Sequence, residues 1–277
     1  MEIGAGGYDS GFNLGDRDPM QVIRSHYRID GNIGPWVTLI TGIANDLSMW
    51  DGQVPALARD FRVLRYDLRG QGQTPATEPP YSIGLLVQDL IALWDRLGIQ
   101  KSHLVGLGLG GSIAQAAAIE HPERIERLVP CCCRAQMVPE FAALWHDLIA
   151  TVKSKGLEAI VEPTAQRWFS DAFKAANPGV LDGVRRMIRA TSVPGYLGCA
   201  GAFVGLSIED RLQEIKARTL YISGAEDTRG GPPALMAGLA GKVPGARHVS
   251  VPNAAHIANI QNPEGFNRVL ADFLREK

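Results

Sequence analysis

Short apolar runs alternate with segments of helical periodicity along most of this chain. Alternating apolar positions predict a half-buried strand over residues 21–29. Continuous apolar runs predict buried strands at residues 35–41, 61–67, 103–105, 127–133, 219–223 and 247–251. Helical spacing predicts helices at residues 51–59, 82–97 and 112–120, then near Pro233 and Pro263. This alternation indicates an α/β fold with a mostly parallel sheet covered by helices on both faces.

The middle of the chain departs from this alternation. Residues 135–207 are almost entirely helical in pattern and rich in Trp, Phe, Met and Arg. We expect them to form a helical cap inserted over the carboxyl edge of the sheet, where such folds bind ligands. The core would then comprise residues 20–134 and 208–277. Residues 1–19 are rich in Gly and Asp without periodicity, which predicts a flexible N-terminal arm.

Composition and charge narrow the class of function. The 277 residues are 45% hydrophobic and 21% charged, and 28 basic against 29 acidic residues leave a net charge of −1. No basic cluster indicates nucleic-acid binding, and no apolar run or leader pattern indicates a membrane or secretion. We therefore predict a cytoplasmic protein whose partner is a small-molecule substrate. The sequence does not indicate an oligomeric state.

The four cysteines do not form a recognisable framework. Three of them, Cys131, Cys132 and Cys133, are consecutive, and no second Cys/His cluster completes a zinc site. We predict buried, reduced thiols, with neither a metal nor a cofactor.

A glycine-rich turn is the most distinctive motif in the chain. Residues 106–111 read Gly-Leu-Gly-Leu-Gly-Gly and lie between a predicted strand and a predicted helix. This is the frame of the nucleophile elbow, G-x-S-x-G, in which a serine occupies the apex of a sharp turn. The apex residue here is Gly108, so no serine hydroxyl is available. A dinucleotide site is a weaker interpretation, because the motif comes after at least two earlier strands instead of opening the fold.

Further motifs accompany this elbow. They lie at residues 26–31, 45–50, 64–72, 158–160, 167–169, 173–178, 194–196, 224–227 and 254–259. With the elbow, they resemble the alpha/beta hydrolase superfamily over residues 20–277, and within it the 3-oxoadipate enol-lactone hydrolase branch. The chain departs from that pattern at three positions. Thr41 and Gln71 stand where histidines are usual, and Gly108 replaces the nucleophilic serine.

The resemblance implies roles for individual residues. The acid falls on Asp227 and the base on His256, a pair in which the carboxylate fixes the imidazole tautomer and stabilises the imidazolium. The backbone N–H groups of Ile43 and Leu109 would form the oxyanion hole. Asp67, although it also follows a strand, is expected to tie down a loop.

Three residues are candidates for substrate binding. Arg134 follows the strand that ends at Cys133 and would hold a substrate carboxylate as a bidentate fork, with a salt bridge to a cap acid as the equal alternative. Thr41 and Trp145 are the others, and Trp145 is also a candidate for packing within the cap.

Gly108 leaves three functional hypotheses. The first is an enzyme that uses His256 and Asp227 for general-base, non-covalent chemistry on a small carboxylated or lactone-like substrate. The second is a serine ester or lactone hydrolase inactivated by a Ser-to-Gly substitution at position 108. The third is a non-catalytic ligand-binding module. Cys131 or Cys133 is a further candidate as a replacement nucleophile, and the first hypothesis is the one we predict.

Overall fold

A computed structural model describes residues 23–276, so the arm predicted over residues 1–19 lies outside the described residues. The strands are β1 (Tyr27–Asp30), β2 (Trp36–Ile40), β3 (Arg62–Tyr66), β4 (Ser102–Leu107), β5 (Ile125–Cys131), β6 (Arg218–Gly224) and β7 (Arg247–Val251). They form one seven-stranded sheet in the order β1-β3-β2-β4-β5-β6-β7. Only β1 is antiparallel to its neighbour, and every other pair is parallel. The predicted α/β fold with a mostly parallel sheet is confirmed.

Helices connect these strands. They are α1 (Val54–Leu57), α2 (Ile83–Arg96), α3 (Leu109–Glu120), α4 (Pro139–Lys155), α5 (Glu158–Trp168), α6 (Asp171–Ala176), α7 (Pro178–Arg189), α8 (Val193–Val204), α9 (Pro233–Ala240), α10 (Ala258–Gln261) and α11 (Pro263–Arg275). Helices α2 and α3 pack against each other beside the sheet, and α1 packs with α11. No helix within residues 23–276 is long and apolar enough to cross a membrane.

Burial explains why the central elements read as apolar in the sequence. All six residues of β4 are buried, as expected for a parallel strand covered on both faces. In α3 every residue except Glu120 is buried, and its small side chains let it lie close to β4 and β5. The predicted N-cap of α2 is confirmed, because the Ser82 side chain accepts a hydrogen bond from the amide of Leu85.

Two predicted helices have different bounds in the structure. The helix predicted at 51–59 is wrong in extent: a 3-10 helix covers Leu47–Trp50, and only Val54–Leu57 is α-helical. The turn begins early because the Asp46 side chain accepts from the amide of Ser48. Helix α3 begins at Leu109, three residues before the predicted start, because Gly108 alone connects β4 to α3.

Helices α4–α8 all lie within the segment predicted as a cap, and we call them the cap helices. The segment leaves and rejoins the sheet at one place. There Gln136 pairs with Ser207, while the amide of Met137 donates to Leu206 O at 2.9 Å. A cavity lies between the cap helices and the loops that follow the strands.

Candidate active site

The glycine turn forms a one-residue connection between β4 and α3. Gly108 has φ 60° and ψ −121°, a conformation that L-residues rarely adopt. The flanking glycines are required by close packing: a Cβ on Gly106 would lie 2.1 Å from Gly110 O, and one on Gly110 would lie 2.5 Å from Ile40 O. The alternating glycines therefore let the helix start directly over the strand.

The apex itself is not crowded. A Cβ built on Gly108 would lie 3.7 Å from His256 Nε2 and 3.9 Å from Gly42 Cα, both ordinary van der Waals distances. Only the backbone conformation disfavours a side chain at this position. Whatever group occupies the space above Gly108 therefore faces the imidazole of His256.

His256 and Asp227 lie in the loops after β7 and β6, and the fold brings them together. His256 Nδ1 is 3.0 Å from Asp227 Oδ2. The carboxylate also accepts from three backbone amides, those of Arg229 at 2.9 Å, Gly230 at 3.0 Å and Gly231 at 2.8 Å. Because an ionised carboxylate can only accept, Nδ1 carries the proton and Nε2 is free to act as a base.

The environment of Asp227 keeps it ionised. Burial by itself would raise the pKa of this carboxyl group, but the charge and hydrogen bond of His256 and the surrounding amides outweigh it and lower the pKa to about 2. The pair thus combines a permanently charged carboxylate with an imidazole whose orientation is fixed.

A glycine that sequence reasoning missed also positions the imidazole. A Cβ on Gly230 would lie 2.1 Å from His256 Cε1, so the loop after Asp227 packs directly against the ring. The only signal in the sequence is the pair of glycines, Gly230 and Gly231, three residues past the acid.

Two backbone amides border the same apex. Leu109 is the first residue of α3, so its N–H has no acceptor within the helix. The amide of Ile43 likewise donates to no protein group in the described part of the chain. Both residues line the cavity beside Gly108. Two amides without an acceptor at the wall of one cavity could stabilise an oxyanion there.

Gln71, one of the three departures from the resemblance, supports the loop that carries Ile43. Its Oε1 accepts from the amide of Asn45 at 3.1 Å, and Asn45 Nδ2 donates to Ile43 O at 3.0 Å. Asp67 ties down the neighbouring loops as predicted, because it accepts from the amides of Leu47 and Gln73.

The cavity has a volume of about 210 Å³ and holds His256, Asp227 and Gly108 in its wall. The cap helices contribute large apolar side chains, namely Phe141, Leu144, Trp145, Leu148, Trp168 and Phe203. Trp145 packs edge-on against Phe203 with ring centroids 5.2 Å apart, so it serves cap packing while it also lines the cavity.

Two predicted substrate-binding residues lie elsewhere. Thr41 is fully buried behind the cavity and does not line it. Arg134 also does not line the cavity. Its guanidinium lies 3.9 Å from the centre of the Phe141 ring and donates to Arg229 O at 2.8 Å. Among residues 23–276 Arg134 forms no salt bridge, so the alternative contact with a cap acid is not made. Arg167 lines the cavity instead.

The cysteine that reaches the cavity is Cys132, so the expectation for Cys131 or Cys133 is wrong. All four cysteines are free and buried, as predicted. The Sγ of Cys132, a carboxylate oxygen of Asp227 and a ring nitrogen of His256 lie within 4.8 Å of one another. Burial and the nearby Asp227 charge raise the pKa of this thiol well above its usual value. Cys132 is therefore a poor nucleophile, because it stays protonated. It is a poor metal ligand for the same reason, and the other two groups, Asp227 and His256, are already hydrogen-bonded to each other.

Comparisons with known proteins agree with the fold. A family profile described as alpha/beta hydrolase fold matches residues 35–263. The chain is 28% identical to 3-oxoadipate enol-lactonase 2 of Acinetobacter baylyi, over 94% of this chain and 96% of that protein. The crystal structure of the enol-lactonase from Burkholderia xenovorans LB400 superposes with a TM-score of 0.87 at 36% identity, covering 91% of this chain and 96% of that one. A malate-bound esterase from Thermogutta terrifontis superposes with a TM-score of 0.86 at 28% identity, covering 91% and 93%.

Proposed function

The chain belongs to the alpha/beta hydrolase family, in its enol-lactonase-like branch, and on that premise we propose that it hydrolyses a small carboxylated or lactone-like substrate by general-base catalysis without a serine nucleophile. The observation that carries the proposal is the position of His256 Nε2, 3.7 Å from where a Cβ on Gly108 would lie. The reacting water takes the place that a serine hydroxyl takes in the usual elbow.

In the proposed reaction, His256 Nε2 accepts a proton from this water as its oxygen attacks the lactone or ester carbonyl. The carbonyl oxygen becomes an oxyanion that accepts hydrogen bonds from the backbone N–H groups of Ile43 and Leu109. Collapse of the tetrahedral intermediate breaks the bond to the leaving oxygen, which takes the proton from His256. Asp227 stays ionised throughout and stabilises the imidazolium. The products are a carboxylic acid and an alcohol, or the ketone tautomer when the leaving group is an enolate.

Magnitudes support catalysis without a covalent intermediate. An oxyanion hole and binding alone leave roughly 10³–10⁴-fold acceleration over water when a catalytic triad is disabled. A positioned general base contributes about 10²–10⁴-fold. Turnover should therefore be slower than that of serine hydrolases but measurable.

The substrate class in this proposal comes from relatives. The Acinetobacter baylyi protein is named for 3-oxoadipate enol-lactone hydrolysis, and the Thermogutta terrifontis esterase holds malate, a dicarboxylate. The apolar wall contributed by the cap helices suits the carbon skeleton of such a molecule.

The test compares the wild type with His256→Ala on an enol-lactone and on an aryl ester, with product identification. We expect His256→Ala to lower turnover of the better substrate by about 10²-fold or more. Turnover that does not depend on His256 would refute the proposal.

The uncrowded apex favours a second candidate, a serine hydrolase inactivated by glycine at position 108. Its φ of 60° and the absence of a close contact at the Cβ position are what a serine elbow requires. This candidate predicts an inert wild type and an active Gly108→Ser variant, whereas the general-base proposal predicts turnover in both. Tight ligand binding without turnover in either protein would instead support a binding module.

A further inference from the structure

Two guanidinium groups line the cavity without an acidic partner. Arg167, at the end of α5, forms one side-chain hydrogen bond with the residues that the structure describes, from Nη2 to Thr164 Oγ1 at 3.1 Å. Arg229, in the loop after Asp227, also lines the cavity. No salt bridge involves either side chain within residues 23–276.

The surroundings of Arg167 disfavour an uncompensated positive charge. Burial lowers the pKa of this guanidinium first, and the charge of Arg229 lowers it further. Because Arg229 is exposed and its charge is screened by solvent, the partial burial of Arg167 is the larger cost, and an anion bound beside Arg167 would offset it. Glu226 and Asp227 also line the cavity, but neither forms a salt bridge with Arg167.

A buried hydroxyl faces the same region. Tyr196, on α8, is only 3% exposed and lines the cavity. Its hydroxyl forms no hydrogen bond with any residue that the structure describes, and burial raises the pKa of Tyr196, so the group stays a neutral O–H donor. An O–H donor and a guanidinium that line one cavity are a suitable arrangement for binding a carboxylate.

We propose that Arg167 and Tyr196, with Arg229 nearby, form a subsite that binds the carboxylate group of an anionic substrate. This inference rests on the proposed function, because it supplies the carboxylate recognition that Arg134 was expected to provide. The guanidinium fork of Arg167 holds the carboxylate and the Tyr196 hydroxyl donates a further hydrogen bond. The rest of the molecule extends along the apolar wall in the cavity that also contains His256.

The test measures binding of adipate, a plain dicarboxylate, and of the neutral adipamide by isothermal titration calorimetry. The variants are Arg167→Gln and Tyr196→Phe. The matched control is Arg186→Gln, which removes an exposed arginine of another cap helix. Arg134→Gln tests the rival carboxylate site. Circular dichroism and thermal unfolding verify that each variant is folded.

We expect the wild type to bind adipate more tightly than adipamide. Arg167→Gln should weaken adipate by about 10- to 100-fold and Tyr196→Phe by about 10-fold, with adipamide unchanged. Arg186→Gln should bind adipate as the wild type does, and Arg134→Gln, which loses only its contacts with Phe141 and Arg229 O, should weaken adipate less than Arg167→Gln does. The proposal is overturned if the wild type does not bind adipate, if Arg167→Gln leaves adipate affinity intact, or if adipamide weakens equally.

This experiment separates the subsite from the reaction, because binding of adipate does not use the basicity of His256. Arg167-dependent binding in a protein without turnover would reject the proposed function and keep the subsite. Turnover that depends on His256 but not on Arg167 would support the proposed function and reject the subsite.

Discussion

Replacing Gly108 by serine is the perturbation that probes the site most deeply. In the structure, a Cβ at this position has no neighbour closer than His256 Nε2 at 3.7 Å, so the new side chain fits without displacing anything. Its hydroxyl oxygen, one bond further out, comes within hydrogen-bonding reach of Nε2. Gly108→Ser should therefore rebuild a nucleophile elbow beside an existing base.

The stability cost follows from the backbone. A non-glycine residue in this sparsely populated region costs about 1–3 kcal/mol, partly offset by about 0.4–1 kcal/mol from reduced freedom of the unfolded chain. The net loss of about 1–2 kcal/mol corresponds to a Tm lower by about 2–8 °C for a chain of this size. Gly108→Ala should show the same loss, because it has the same strain without the hydroxyl.

The Gly108→Ser variant should gain turnover even though it loses stability. A serine nucleophile allows an acyl-enzyme, and loss of a triad costs a serine hydrolase on the order of 10⁶ in turnover. Because the base and the amide donors are already present, we expect Gly108→Ser to raise aryl-ester turnover by about 10²-fold or more. The assays are burst kinetics and mass spectrometry after treatment with a fluorophosphonate, which should label position 108.

Gly108→Ala and the wild type should remain unlabelled at that position. A folded Gly108→Ser variant that shows neither a burst nor a label would refute the reasoning. Such a result would mean that His256 Nε2 does not face the apex, and the proposed activation of water would fail with it.

Three further predictions concern the surroundings of the base and the fold. Asp227→Asn should lower turnover by about 10²-fold or more, close to the effect of His256→Ala, with the fold retained, because the amide no longer holds the correct imidazole tautomer; full activity in steady-state assays would contradict this. Gly230→Ala should abolish most activity, since its Cβ would lie 2.1 Å from the His256 ring, whereas Gly238→Ala, which meets nothing within 4 Å in α9, should leave activity unchanged. Burial lowers the pKa of His103 to about 4 in the folded protein, below its value of about 6.5 in the unfolded chain. The unfolded state therefore binds more protons between these pH values, and stability should fall as the pH drops from 6.5 towards 4. In denaturant titrations His103→Leu should flatten that dependence, and an unchanged slope would rule this cause out.

The fold was predictable because its signals are local. Buried parallel strands read as apolar runs, and β7 (Arg247–Val251) matches its predicted bounds. Helix α11 begins at Pro263 as predicted, because proline is favoured at the start of a helix. The predicted bounds of the helix over residues 51–59 were wrong, because the Asp46 cap and the 3-10 turn depend on loop geometry. The periodicity of apolar residues carries no information about that geometry.

The acid and the base were predictable from the family resemblance, and their places after predicted strands supported that assignment. The structure brings the side chains of Asp227 and His256 within hydrogen-bonding distance. Cys132 was missed in favour of its neighbours because three identical residues carry no information about which side chain faces the cavity. Its φ of 44° breaks the simple alternation.

Arg167 and Tyr196 lie in two of the motifs that carry the resemblance, at residues 167–169 and 194–196, but the sequence assigned neither a role in the site. Their approach to the cavity depends on how α4–α8 pack on one another and on the sheet, which is a non-local property. Arg134 was chosen for its place after a strand, but stacking on Phe141 takes its guanidinium away from the cavity.

The most direct test of general-base catalysis is kcat/KM of the wild type and of His256→Ala, purified in parallel, for hydrolysis of an enol-lactone. The account predicts measurable hydrolysis by the wild type and a loss of about 10²-fold or more in the variant. Equal values for the two proteins would contradict it.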